Sequence, residues 1–267
     1  MRRIKHFVLF FIVLIGLFFL SVPEVLPNNL SSREISEKAK DSDIIIFFNS
    51  GGWGNTPLER AEDFAPIILE IQGTLSKWGY DSAVIPYNRT KAGFWGKIAG
   101  AKDFLTSFEY SSEILAGEIE SLGKDLPDKK IIITGLSAGG AFVSKTYGRI
   151  SEGARDSILA IAAGIPFWVK DSDSDNVLQL DNGGTDSLAM GEIRTLLSSL
   201  IISPLRWVGA RISGESLSLK SITNQFVGHS YNWRTAGPEI ISFLTQAIEK
   251  GGKEDLSSLI EEKILQP

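Results

Sequence analysis

The sequence predicts an α/β fold: a mostly parallel central sheet of about six strands with helices on both faces, preceded by one N-terminal transmembrane helix. Three observations carry this. Runs such as Ile44–Phe48 (IIIFF) and Ile131–Ile133 (III) are continuously apolar and not alternating, as in strands covered on both faces. Helical patterns separate these runs, and strand and helix in alternation imply parallel pairing. An uncharged stretch from Phe7 to Val22 follows Arg2, Arg3 and Lys5, the layout of a membrane signal segment.

Taken in order, residues 1–22 are expected to be an uncleaved signal anchor. Cleavage after Ser21 would place Phe19 where a small residue is needed, and the other small-residue option puts Pro23 at the cut. Secretion after cleavage is the alternative, and both readings export the body of the chain. Residues 23–42 read as a polar tether, with two Pro, two Asn and no sustained apolar period. One domain is then expected over 43–267. Its first strand, Asp43–Ser50, ends in the loop Gly51-Gly52-Trp53-Gly54. Thr56, Pro57 and Glu59 have the spacing of a capping box, opening a helix expected to kink at Pro66 and stop near Gly79. Ser82–Tyr87 is the second strand, and Ser111–Leu122 a helix closed by Gly123. Lys129–Thr134 is a third strand, followed by a glycine-rich turn and a helix to about Gly148. Ser157–Gly164, Asn176–Asn182 and Leu219–Val227 supply three more strands. Ile193 to Ile201 repeats at helical spacing. Pro238–Lys250 is the last helix, with Ile240, Ile241, Leu244, Ala247 and Ile248 on one face.

Composition narrows the function. A chain of 267 residues that is 43% hydrophobic builds one core, at most two, and is not disordered. The net charge of −5, with no basic run, argues against nucleic-acid binding. The absence of cysteine removes disulfide scaffolds, thiolate metal sites and a cysteine nucleophile. The only two histidines are His6 and His229.

Gly135-Leu136-Ser137-Ala138-Gly139 is a G-x-S-x-G pentapeptide between an apolar strand and a helical run. That context is what a nucleophile on a sharp strand-to-helix turn requires. A serine hydroxyl needs a base to take its proton. His6 lies beside the hydrophobic run, so the imidazole must be His229. The third member, a carboxylate that orients the imidazole, should stand at a strand end between them. Asp186, across the Gly183-Gly184-Thr185 turn from the fifth strand, is the choice, with Asp181 and Asp175 as alternatives.

With these residues the chain resembles the α/β-hydrolase superfamily over about residues 43–250. The carriers are Gly135–Gly139, Asn182-Gly183-Gly184-Thr185-Asp186 and Gly228-His229, in the superfamily's order Ser, Asp, His. The resemblance implies Ser137 as nucleophile, His229 as base and Asp186 as acid. It also implies an oxyanion hole from the backbone N–H of Ala138 and of one residue in the loop after the first strand, Gly52 or, next, Trp53. The short Ile165–Asn176 connection leaves no room for a cap domain. The expected activity is hydrolysis of a carboxylic ester through an acyl-enzyme, without metal or organic cofactor. A lipophilic acyl substrate is expected because the chain sits at a membrane, with the catalytic body outside the cytoplasm. Trp53, Phe167 and Trp168 are expected to line the pocket, with Phe94 and Trp95 near its mouth. Residues 193–212 either pack on the sheet or form a lid. A peptidase, thioesterase or acyltransferase on the same triad, or an inactive membrane-tethered binding module, are the other classes.

Overall fold

The computed structural model describes residues 31–169, 174–191 and 228–249. The expected anchor at 1–22, the segment 193–212 and the sixth strand at Leu219–Val227 lie outside them. Among the described residues no helix is long and apolar enough to cross a membrane.

Five strands form one parallel sheet: β1 (Ile44–Asn49), β2 (Ser82–Tyr87), β3 (Lys130–Leu136), β4 (Ile158–Ala163) and β5 (Val177–Leu180), in the spatial order β2-β1-β3-β4-β5. Phe47 stands between Ile85 and Ile133, and Ile133 next to Ala160. Every residue of β1 and β4 is buried, which is why their sequences show no alternation. Successive residues still face opposite ways. Ile45, Phe47, Ile131, Ile133 and Ala160 enter one apolar layer, and Ile44, Ile46, Phe48, Ile132 and Ile161 the other. The first layer is closed by α1 (Ser32–Ala39), α4 (Glu109–Asp125) and α5 (Ala138–Arg149). The second is closed by α2 (Ala65–Lys77) and α6 (Trp233–Glu249). A further helix, α3 (Phe94–Leu105), touches the first layer through Phe104.

This strand order has one consequence for function. The chain leaves β1 toward β2 on one side and returns to place β3 on the other. The loops leaving the carboxyl ends of β1 and β3 therefore diverge and open a crevice, the usual ligand position in such sheets. Those loops are residues 50–54 and the turn at Ser137.

Several expectations need correction. Residues 31–40 are not tether. Ser31 and Glu34 form a capping box, and Ile35 and Ala39, four apart, insert α1 into the core. Two apolar residues made too weak a period to read. The helix expected from Thr56 is instead a single turn, Leu58–Arg60, and α2 starts at Ala65. Thr56 donates its N–H to Ser50 Oγ at 3.1 Å. Pro66 falls in the first turn of α2, where no N–H is needed, so it starts the helix and does not kink it. α4 runs through Gly123 to Asp125. The last helix begins at Trp233 and contains Pro238. α3 was not anticipated: its buried positions are Gly96, Gly100 and Asp103, so it shows no apolar face.

Candidate active site

Ser137 links β3 to α5 with φ 57 and ψ −119, a sparsely populated positive-φ conformation that costs a non-glycine residue of order 1–3 kcal/mol. The turn is held on both sides. Ser137 N–H donates to Ala163 O at 2.7 Å, and Ser137 O accepts from Ala141 N–H at 2.9 Å. The glycines around it have a steric reason. A Cβ on Gly135 would stand 2.3 Å from Gly139 O, one on Gly139 2.5 Å from Asn49 O, and one on Gly140 2.7 Å from Ala163 O. The motif is thus the place where β1, β3, β4 and α5 converge too closely for side chains. Ala138, the first residue of α5, has an amide without an intrahelical acceptor, at the positive end of the helix dipole.

The loop after β1 lies against this turn. A Cβ on Gly51 would stand 3.0 Å from Leu136 O and 3.7 Å from Ser137 Cβ. One on Gly52, whose φ is +56, would meet no described atom within 4 Å. At Gly51 the loop thus packs against the backbone of Leu136 and the side chain of Ser137.

After β5, Asn182, Gly183 and Gly184 all take positive φ and turn the chain back on itself. Thr185 Oγ1 donates to Asn182 O at 2.8 Å, and Gly184 N–H to Asp181 Oδ1 at 2.9 Å. Asp181 is thereby occupied in shaping the turn. Asp175 lies before β5, at the opposite edge of the sheet. Asp186 is fully buried and collects four donors. Leu188 N–H (2.9 Å) and Ala189 N–H (3.3 Å) reach Oδ1, and His229 Nδ1 (2.8 Å) and Tyr231 OH (2.6 Å) reach Oδ2. Burial alone would raise its pKa, but the hydrogen bonds from His229 and Tyr231 outweigh it and hold the carboxyl below its ordinary value. An ionised carboxylate only accepts, so Nδ1 carries the imidazole's hydrogen and Nε2 has the lone pair.

The His229 ring is 17% exposed and packed from two sides. It meets Tyr231 edge to face, with centroids 6.1 Å apart. A Cβ on Gly164 would come within 2.7 Å of its Cε1. Gly164 follows Ala163, the residue that accepts the Ser137 N–H, so the end of β4 abuts both Ser137 and His229. Gly228 O accepts from Asn182 Nδ2 at 2.8 Å, tying the base to the turn that carries the acid.

Tyr231 was not foreseen as part of this cluster. It is buried, its hydroxyl lies 2.6 Å from Asp186 Oδ2 and 3.0 Å from Leu180 O, and burial beside the carboxylate drives its pKa up. Its one sequence signal is the position two residues after the only histidine of the body.

The aromatic residues expected in the pocket lie at the surface. Trp53, Phe167 and Trp168 are about half exposed, and Phe94 and Trp95 more so. Trp168 packs edge to face on Phe104 and Phe167, and with Phe104, Phe108, Ala141 and Val169 it lines a groove of about 570 Å³ along α5, whose remaining wall is polar: Ser107, Ser144, Lys145 and Arg149. The groove passes Ala141, one turn from Ser137. Trp53 instead sits over α3, with its ring Cε3 3.5 Å from where a Gly100 Cβ would be.

No family model matches the sequence, and no curated protein matches it. Among solved structures, the chain is similar to a cutinase from Trichoderma reesei in complex with a C11Y4 phosphonate inhibitor. That likeness has 17% identity and a TM-score of 0.45, and covers 66% of this chain and 72% of that one. It is also similar to an acetyl xylan esterase in an iodinated complex, at 16% identity and a TM-score of 0.37, over 52% of this chain and 81% of that one.

Proposed function

We propose that the protein is a serine hydrolase that cleaves carboxylic esters through an acyl-enzyme on Ser137. The observation that carries this reading is the Asp186–His229 hydrogen bond, 2.8 Å long, on a fully buried carboxylate with three further donors. A histidine oriented this way, at the sheet edge that also bears a serine on a strained turn, is arranged for proton transfer.

In the proposed reaction Ser137 Oγ attacks the ester carbonyl carbon and its proton passes to His229 Nε2. Asp186 stabilises the imidazolium through Nδ1–H. The carbonyl oxygen becomes an oxyanion that accepts from Ala138 N–H and from an N–H of the loop 50–54; one such donor is worth about 3 kcal/mol. The C–O bond to the leaving alkoxide breaks as His229 returns the proton to it. Water then attacks the acyl carbon, giving its proton to His229, and the carboxylic acid leaves as Ser137 is reprotonated. A lipophilic acyl or alcohol portion is proposed from the expected membrane setting alone, since the groove along α5 is walled by Ser144, Lys145 and Arg149 as well as by Phe104 and Trp168. Residues 1–22 would hold this body at a membrane, outside the cytoplasm.

The test is a panel of p-nitrophenyl esters from acetate to decanoate, beside a thioester and a peptide anilide, with Ser137→Ala as control. Ester turnover that rises with acyl length and vanishes in Ser137→Ala is expected. Turnover confined to the anilide or thioester would reassign the acyl bond. No turnover of any substrate by folded protein would support a binding module.

A further inference from the structure

The loop 50–54 is held by its carbonyl oxygens, all five of which are engaged. Arg89 Nη2 donates to Ser50 O (3.4 Å) and Gly52 O (3.2 Å), and Arg89 N–H donates to Gly54 O at 2.8 Å. Thr90 Oγ1 donates to Trp53 O at 2.8 Å, and Gly54 N–H to Gly51 O at 3.1 Å. Arg89 is 1% exposed and comes from the loop after β2, the strand next to β1. Its charge is balanced inside the protein. Asp103 of α3 lies 3.5 Å from Nη1, Ser111 Oγ donates to that carboxylate at 2.6 Å, and the guanidinium lies 4.9 and 5.2 Å from the ring centres of Phe108 and Phe142. A charge buried this deeply is costly, and it commonly serves specificity of geometry where it brings no stability.

A trans peptide is planar, so a carbonyl and the next residue's N–H point in opposite directions. Drawing Ser50 O and Gly52 O inward therefore turns Gly51 N–H and Trp53 N–H away from Arg89. Of these two residues, Gly51 is the one against Leu136 O and Ser137 Cβ. We infer that Arg89 is a positioning residue for the oxyanion hole: its guanidinium holds the Ser50–Gly51 peptide so that Gly51 N–H, and not that of Gly52, is the second donor to the oxyanion formed at Ser137. This rests on the serine-hydrolase reading above and deepens it. The guanidinium also polarises the peptide units it binds, which strengthens their N–H groups as donors. Asp103 and Ser111 act one step further back, by holding Arg89.

The experiment uses p-nitrophenyl butyrate with Arg89→Lys, and with the double variant Arg89→Gln/Asp103→Asn, which removes both buried charges at once. A single ammonium cannot reproduce the guanidinium's fixed fork of donors. Active sites are first titrated with a fluorophosphonate, and turnover is expressed per titrated site. The expected result is kcat per site lower by about tenfold to a hundredfold, toward the loss seen when an oxyanion donor is removed. KM should stay within about twofold, and affinity for phenylboronic acid should fall in step with kcat/KM. A merely structural Arg89 would lower the number of titratable sites and leave turnover per site unchanged, which would overturn the assignment. Ser137→Ala is assayed in parallel. Hydrolysis that persists in it sinks the underlying reading. Hydrolysis fully dependent on Ser137, with wild-type turnover per site in either folded Arg89 variant, sinks only the role of Arg89.

Discussion

The two flanks of Ser137 are built in opposite ways. On one side, side chains meet directly: Asp186, His229 and Tyr231 lie within one hydrogen-bonded cluster. On the other, the loop 50–54 offers backbone N–H groups, and its carbonyls are gripped from behind by Arg89 and Thr90. In the proposed reaction the first flank needs a particular side chain at each position, and His229 is the only imidazole among the described residues. The second flank, as proposed, needs only peptide units in one orientation, so the side chains that hold them act at one remove. Loss of a side chain should therefore be severe on the first flank and graded on the second.

The largest effect is expected from His229→Ala, which removes the only described imidazole: kcat for p-nitrophenyl butyrate should fall at least about 10⁴-fold. A residual rate near a tenth of wild type would break the contrast between the flanks. Gly164→Ala comes next. Its Cβ would press on His229 Cε1 at 2.7 Å, and φ +60 strains any side chain there. A displacement of the ring by about 1 Å predicts a loss near 10²-fold. Titrating the sites would show whether it comes from turnover, as expected, or from unfolding.

Tyr231→Phe should cost about tenfold in kcat, since a hydrogen bond to a charged group is worth about 1.5–3 kcal/mol and three other donors remain on Asp186. It also carries a pH signature. Asp186 is held below its ordinary value, so the stability it contributes is present above the unfolded carboxylate range, about 3.9, and is lost as pH falls through the lower folded value. Tyr231→Phe weakens that hold, so acid unfolding followed by circular dichroism should begin at higher pH.

The smallest effect is assigned to a site on neither flank. Burial raises the Glu118 carboxyl on α4 to about 7. The folded protein then keeps a proton that the unfolded chain releases near about 4.3, so stability falls as pH rises between these values. Glu118→Gln should raise Tm at pH 8, leave it unchanged near pH 4, and leave kcat at wild type.

Legibility in the sequence follows the same division. The sharp turn at Ser137 and the pairing of Asp186 with His229 were foreseeable because each residue sits in a short stretch with its own signal: a pentapeptide, a glycine turn and a lone histidine. Strands β1, β3 and β4 were legible because near-complete burial demands unbroken apolar runs, whereas the half-buried edge strands β2 and β5 were read from short apolar stretches between turn residues. The loop's fastening was not legible. Arg89 acts on residues 37 and 39 positions earlier, and Asp103 lies on a helix whose buried face is two glycines and that aspartate. A charged residue inside and a glycine face both look like surface to a hydrophobic pattern.

Acylation of Ser137 is the step from which every other role follows. Folded wild-type protein, treated with a fluorophosphonate and mapped by peptide mass spectrometry, should carry one adduct per chain on Ser137. The adduct should be absent from Ser137→Ala and form far more slowly in His229→Ala. No adduct on the folded wild type, or one that persists in Ser137→Ala, would contradict it.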